Sequence, residues 1–380
     1  MATYRLIATA AFGIEGIVGK EVKSLGFENV SVENGRVLFD ADEYGLIKAN
    51  LWLRTADRVF MMLKEFKATS FEELFQGVKS IPWENYIPED GEFPVNAKSI
   101  NSKLFSLSDC QAIAKKSVVN RLSDHYGIEW FDETGAKFPI LVAILKDVVT
   151  ISIDTSGVGL HKRGYRENAN AAPLKETLAA ALLKSANWHS KIALMDPMCG
   201  TGTIGIEAAM MARNIAPGLS RKFISEDWAF IPKDMWKEER VKAYSAIDYD
   251  VEVRIECYDI DAKSIDIAKE NAEKAGVEED IVFGVRDAKD IKSDHLYGFI
   301  VSNPPYGERL GEKEEVEAMY SMMGESFGRL KTWSKFILTS HEEFEKNYGK
   351  KASKNRKLYN GKIKCYLYQY LGQKPPKTAR

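Results

Sequence analysis

The sequence predicts an α/β fold, with a Rossmann-like, doubly wound parallel sheet in its C-terminal part and two smaller α+β units before it. Three observations predict this. Short apolar runs end at Asp196, Asp259, Asp287 and Asn303 with helix-length segments between them, which is how parallel strands with crossover helices read. The first run leads straight into a glycine-rich loop and an alanine-rich helix. Upstream, short strands and amphipathic helices alternate over residues 1–160.

In chain order, residues 4–9 read as a strand. Residues 14–25 read as a helix by their apolar spacing (Ile14, Ile17, Val18, Val22, Leu25). Residues 35–39 read as a strand entered through an Asn-Gly turn. A helix over 44–53 and a strand over 58–66 complete a ferredoxin-like unit, residues 1–67. A second unit, residues 68–160, opens with a helix over 71–78, a strand over 93–98 and a helix over 109–125 capped by Ser108. A hairpin of 140–145 and 148–153 closes it. Residues 163–166 read as the hinge into a third unit, 161–380, whose first helix spans 172–183. Residues 214–250, with Trp228, Phe230 and Trp236, form an insertion there. It is either a lid or a local elaboration that buries its own aromatics. A helix over 316–330, a strand over 335–339 and a terminal pair near 357 and 364–371 finish the chain.

Two motifs carry chemistry. Gly200, Gly202 and Gly205 form a G-x-G-x-x-G pattern between a strand and a helix, so a dinucleotide site has to be considered. That reading wants an acid about 20 residues on, whereas the next acid-terminated strand, 254–259, lies much farther down the chain. A carboxylate at Asp196 would also repel a pyrophosphate, yet it suits a ligand carrying a sulfonium and an α-amino group. Asp259 is placed to accept from both hydroxyls of a ribose. S-adenosylmethionine therefore fits better than NAD.

The second motif is Asn303-Pro304-Pro305-Tyr306, directly after an apolar strand. Each proline fixes its own φ and holds the preceding residue extended. The Asn303 amide oxygen and the Pro304 carbonyl are then two acceptors for one NH2 group, and Tyr306 stacks on the ring that bears it. This arrangement suits methylation of an aromatic amine; a plain proline-rich turn is the alternative.

Taken in order, the 196–202 loop, Asp259-Ile260-Asp261, Asp287 and Asn303–Tyr306 resemble the class I S-adenosylmethionine-dependent amino-methyltransferases. With 159–166, 172–176 and 303–310, the chain resembles the THUMP-domain methyltransferases that modify guanine N2 in 23S ribosomal RNA. The resemblance covers essentially the whole chain. It implies a sheet of six parallel strands plus one antiparallel, and an RNA-binding THUMP domain at 68–160. It implies S-adenosylmethionine held by Asp196, Pro197, Cys199, Gly200, Thr201, Gly202, Asp259, Ile260, Asp287, Ala288 and Asn303, with Asp287 on the adenine amino group. Asn303, Pro304, Pro305 and Tyr306 would be catalytic. The partner implied is 23S ribosomal RNA or a pre-ribosomal particle. Expected RNA-facing charges are Lys98, Lys103, Lys115, Lys116 and Arg121 in the second unit, and Arg163, Arg166, Arg309, Lys354, Arg356 and Lys357 in the third.

The 380 residues suffice for two or three domains. Lys plus Arg is 53 against 55 for Asp plus Glu, a net charge of −2, which argues against binding through bulk charge. Residues 346–380 nevertheless hold eleven basic and no acidic side chains, +11, leaving −13 on the remainder. Such a stretch beside a catalytic sheet suits phosphate contact. Cys110, Cys199, Cys257 and Cys365 show no paired metal spacing and the five histidines no ligand motif, so no metal is expected. No apolar run approaches membrane-spanning length and the first residues do not read as a signal sequence, so the cytoplasm is expected. Competing readings keep the chemistry on transfer RNA guanine N2, adenine N6 or a protein glutamine. A further one makes the chain a non-enzymatic RNA-binding assembly factor.

Overall fold

The computed structural model describes residues 3–166, 174–307 and 313–373. In chain order the elements are β1 (Tyr4–Thr9), α1 (Glu15–Ser24), β2 (Glu28–Glu33), β3 (Arg36–Ala41), α2 (Glu43–Trp52), β4 (Arg58–Lys67), α3 (Phe71–Lys79), β5 (Val95–Ile100), α4 (Leu107–Tyr126), β6 (Ile140–Leu145) and β7 (Val148–Asp154). There follow α5 (Glu176–Ala186), β8 (Ala193–Asp196), α6 (Thr203–Ala212), α7 (Lys233–Ser245), β9 (Ile255–Asp259), α8 (Ala262–Lys274) and β10 (Ile281–Val285). The last are β11 (Gly298–Ser302), α9 (Lys313–Gly328), β12 (Ser334–Thr339), α10 (Phe344–Asn347), β13 (Lys354–Asn360) and β14 (Ile363–Tyr370). The chain divides into two compact units.

The first unit comprises Met1–Ala10, Gly19–Leu160 and Lys222–Lys242. Its sheet has the order β2-β3-β1-β4-β7-β6-β5. Among its described strands, β5 and β6 pair in parallel and the other pairings are antiparallel. The two small α+β units of the sequence are thus joined by the antiparallel β4–β7 pairing into one continuous sheet. Periodicity missed β2, whose Glu-Asn-Val-Ser-Val-Glu run has no buried residue because it lies at the sheet edge. The α4 helix starts at Leu107, so Ser106 rather than Ser108 stands at its N-cap, without a side-chain capping bond. The segment Lys222–Lys242 belongs to this unit. Its Trp228 is 1% exposed, stacks on Phe138 at 5.2 Å and donates from Nε1 to the Lys137 carbonyl at 2.9 Å. An indole buried with its N–H satisfied is an anchor.

The second unit comprises Ala11–Val18, His161–Arg221 and Ala243–Arg380. Its sheet has the order β10-β9-β8-β11-β12-β14-β13. Strands β8 to β12 are mutually parallel, and β14 runs antiparallel between β12 and β13. Six strands therefore run one way and one is reversed, as expected. Strand order turns back at β8, and in such sheets ligands bind beyond the carboxyl ends of the strands at the switch point. Under that edge lies an aromatic core of Tyr320, Phe327, Trp333 and Phe344, none more than 1% exposed. The helix expected from Ala172 begins at Glu176; Ala172 and Pro173 lie outside the described residues.

Candidate active site

The β8–α6 loop is shaped by backbone demands. Gly200 (φ +51°) and Gly202 (φ +81°) both sit in the left-handed region, which glycine enters without the cost a side chain brings. A Cβ on Gly202 would also come within 3.0 Å of the Ala268 Cβ on α8. At Gly200 the space is open, so the turn alone requires glycine there. The loop is tied to β9: Gly200 N–H donates to Asp259 Oδ2 at 2.9 Å and Cys199 N–H to the Tyr258 carbonyl at 2.9 Å. Asp259 Oδ1 accepts from Asp261 N–H at 3.0 Å. Asp261 in turn caps α8 by accepting from the Lys263 and Ser264 amides.

Asp196 is 2% exposed and does not line the cleft. Its Oδ1 accepts from Ser302 Oγ at 2.8 Å and from Met198 N–H at 3.3 Å. Burial pushes its carboxyl up to about 7, outweighing those two bonds, and the nearby Asp259 adds to the rise. Hydrogen bonding to Cys257, reinforced by burial, raises the Cys199 thiol well above its ordinary range, so it is a neutral packing group. Asp287 Oδ1 accepts from Lys289 N–H at 3.0 Å and its Oδ2 pairs with Lys289 Nζ at 3.1 Å. The backbone bond is the chief reason its carboxyl is held below the usual value.

A cleft of about 790 Å³ runs along this edge, within the size range of small-molecule sites. It brings together ten of the expected residues: Pro197, Gly200, Asp259, Ile260, Asp287, Ala288, Asn303, Pro304, Pro305 and Tyr306. Thr201 and Gly202, in the same loop, do not line it: the Thr201 carbonyl accepts from Asn271 Nδ2 at 3.2 Å and Gly202 caps α6. Sequence reasoning missed Lys175, Met198, Met319, Met322, Asn360 and Gly361, which also line it. The Asn360-Gly361 pair is a hairpin signal, but nothing in the sequence says which edge its turn faces. Within the motif, Tyr306 Oη donates to Asn303 Oδ1 at 2.5 Å, and Tyr320 Oη donates to the Pro305 carbonyl at 2.9 Å. Burial raises the Tyr306 phenol far above its usual range, so it stays a protonated donor.

The expected RNA-facing charges divide. Lys98, Lys103, Lys116, Lys354 and Lys357 are exposed. Arg163 and Arg166 are not available as expected. The Arg163 guanidinium is buried against Glu207, with Nε 3.1 Å from Oε1. Arg166 pairs with Glu176 at 3.3 Å and bonds Thr203 Oγ1. Turning either outward would strand a buried carboxylate. Lys115 is held by Glu133 and the Phe93 carbonyl, and Arg121 by Glu84. Arg356 is half-buried on β13. Arg309 lies outside the described residues.

A class I methyltransferase sheet with a cleft beyond its carboxyl edge, floored by a glycine turn and rimmed by Asn-Pro-Pro-Tyr, defines the kind of protein. The chain belongs to the UPF0020 family, matching its RMKL-like methyltransferase domain over residues 163–369. It also matches the RlmL ferredoxin-like domain over 5–60 and the THUMP domain over 68–154. It is 50% identical to the Bacillus subtilis (strain 168) protein named "Putative RNA methyltransferase YpsC", covering 100% of this chain and 99% of that one. It is 36% identical to the ribosomal RNA large subunit methyltransferase K/L of Psychromonas ingrahamii, over 95% of this chain and 49% of that protein. The chain thus spans about half the length of the K/L enzymes it matches. The solved structure described as "SMU.472, a putative methyltransferase complexed with SAH" superposes with a TM-score of 0.92 at 44% identity, covering 99% of this chain and 100% of that one.

Proposed function

We propose that the chain transfers a methyl group from S-adenosylmethionine to the exocyclic N2 of a guanine in 23S ribosomal RNA, free or within a pre-ribosomal particle, in the cytoplasm. The observation that carries the reading is one cleft with Asp259 and Asp287 toward one end of the sheet edge and Asn303–Tyr306 on the other side of β8. The match to K/L ribosomal RNA methyltransferases and to a THUMP domain supports the substrate class.

The donor set fits the cofactor. Each Asp259 oxygen holds one backbone amide and keeps a lone pair for a ribose hydroxyl. Asp287, with Ala288 beside it, takes the adenine amino group. The loop of Pro197, Cys199, Gly200, Thr201 and Gly202 carries the methionine portion, with Ile260 against the nucleoside and the Asp196 carboxyl behind. When bound, S-adenosylmethionine supplies a methyl group activated on a sulfonium.

The chain's own work is placement. Pro304 and Pro305 have no N–H, so the motif meets an incoming amine with acceptors, the Asn303 amide oxygen and the Pro304 carbonyl. Those two bonds orient the nitrogen lone pair, and Tyr306 stacks on the base. Such positioning is worth roughly 7–11 kcal/mol of barrier. The base has to be flipped out or already unpaired to enter. The proton released on transfer passes to water, so a buried base is not needed. Mass-spectrometric mapping of ribosomal RNA from strains with and without the gene tests the proposal. Loss of one N2-methylguanosine from 23S RNA is expected. An unchanged 23S map, with loss of a transfer RNA N2-methylguanosine or an N6-methyladenosine instead, would refute the substrate assignment.

A further inference from the structure

The two prolines of the motif leave one soft dihedral unguarded. A pyrrolidine ring fixes φ and not ψ. The ψ of Pro305 sets where its carbonyl points and where Tyr306 departs, and Tyr306 Oη is the group that closes back on Asn303 Oδ1. Something outside the motif has to set that angle.

Tyr320, on α9, is 0% exposed and reaches the Pro305 carbonyl at 2.9 Å. Its hydroxyl also lies 2.8 Å from Oγ1 of Thr339, the last residue of β12 and 0% exposed. Thr339 Oγ1 accepts from the His341 backbone N–H at 3.1 Å. Proton order in this chain is forced. A carbonyl only accepts, so the single Tyr320 proton goes to Pro305, and Thr339 must donate its own to Tyr320. Each link is filled, running from His341 N–H through Thr339 and Tyr320 to Pro305. The Tyr320 ring is itself held edge-on by Phe344 at 4.8 Å and His341 at 5.4 Å. The phenol, raised by burial to about 12, stays protonated across the working pH range.

We propose that Tyr320, ordered by Thr339, is a positioning residue for methyl transfer, setting the Pro305 carbonyl and through it the placing of Tyr306 against Asn303. This rests on the reading of the cleft given above. Tyr320 does not line the cleft, whereas Pro305 and Tyr306 do, so it acts on the target side through the loop. Its loss lowers turnover and leaves the cofactor end, built from β8, β9 and β10, unchanged.

The test uses the full chain, large-subunit RNA from a strain lacking the gene, and S-adenosylmethionine labelled on its methyl group. Tyr320→Phe keeps the ring and removes the hydroxyl, Thr339→Val keeps the volume and breaks the relay, and Thr339→Ser keeps the relay. Tyr320→Phe and Thr339→Val are each expected to lower kcat about 10- to 100-fold, the scale of a misplaced reacting group. Calorimetric S-adenosylmethionine affinity should stay within about twofold, since this chain of bonds makes no cofactor contact. The double variant should be no slower than the worse single, because both changes cut one relay, and Thr339→Ser should retain turnover. Wild-type turnover in folded Tyr320→Phe or Thr339→Val would overturn the proposal while leaving the methyltransferase reading standing. Equal losses of cofactor affinity and rate, or failure of both variants to fold, would make the pair a fold-holding contact and overturn it too. Absence of transfer by the wild-type protein would overturn both readings.

Discussion

Replacing Asp196 by Asn should stabilise the protein, by an amount that grows with pH. Asp196 is 2% exposed, and both of its hydrogen-bond donors, Ser302 Oγ and Met198 N–H, address the same oxygen, Oδ1. An Asn in the same rotamer keeps Oδ1 for both and puts its NH2 where the protonated carboxyl carries its hydrogen. The carboxyl titrates at about 7 in the folded protein against 3.8 unfolded. Below 3.8 both states are protonated and the residue costs nothing. Between 3.8 and 7 the unfolded chain releases the proton and the folded one retains it, so stability falls as pH rises. At about 1.36 kcal/mol per unit the loss accumulates to roughly 4 kcal/mol by pH 7 and then levels off. Asn escapes that loss. Urea melts of both proteins should show the advantage of Asp196→Asn growing by about 2.5 kcal/mol between pH 5 and 7 and flattening above. Wild-type affinity for S-adenosylmethionine should rise over the same interval, as the carboxyl becomes an anion behind a cationic ligand. A stability difference constant from pH 5 to 8 would show that this carboxyl ionises as though solvated, and the argument would be wrong.

Asn303→Ala should abolish methyl transfer with little change in S-adenosylmethionine affinity by calorimetry; unaltered turnover would refute the amine grip. Asp259→Ala removes the acceptor of Gly200 N–H as well as the proposed ribose contact. At about 1.5–3 kcal/mol for a hydrogen bond to a charged group, cofactor affinity should fall at least tenfold, read in the same calorimeter. Gly205→Ala places a Cβ 2.3 Å from Cys257 Sγ in the α6–β9 contact, and urea melts should show a loss of about 1–3 kcal/mol from overpacking. Glu207→Gln removes the carboxylate charge that pairs with the Arg163 guanidinium, whose side chain is 2% exposed. About 3–5 kcal/mol of stability should go, and a variant as stable as wild type would return Arg163 to the candidate RNA contacts.

What the sequence made legible was whatever the local backbone demands. A chain that must turn through φ +51° and +81° between a strand and a helix has to write glycine there. Alternating strands and crossover helices then leave few sheet orders to choose from. The β2 strand escaped because an edge strand with nothing buried carries no period-2 signal. Arg163 and Arg166 were misplaced for a different reason. A guanidinium that meets RNA and one that meets a carboxylate are spelled alike, and the partner of Arg163 stands 44 residues away at Glu207. The same limit separates the motif from its support. Asn303–Tyr306 announces itself because prolines restrict their neighbours in sequence. Tyr320 reaches the Pro305 carbonyl across 15 residues and Thr339 stands 19 beyond that, at positions where a tyrosine in a helix and a threonine in a strand read as ordinary core. A four-residue grip can be spelled in four residues only so far as φ goes, and the ψ that aims it has to be supplied by contacts the chain makes after folding.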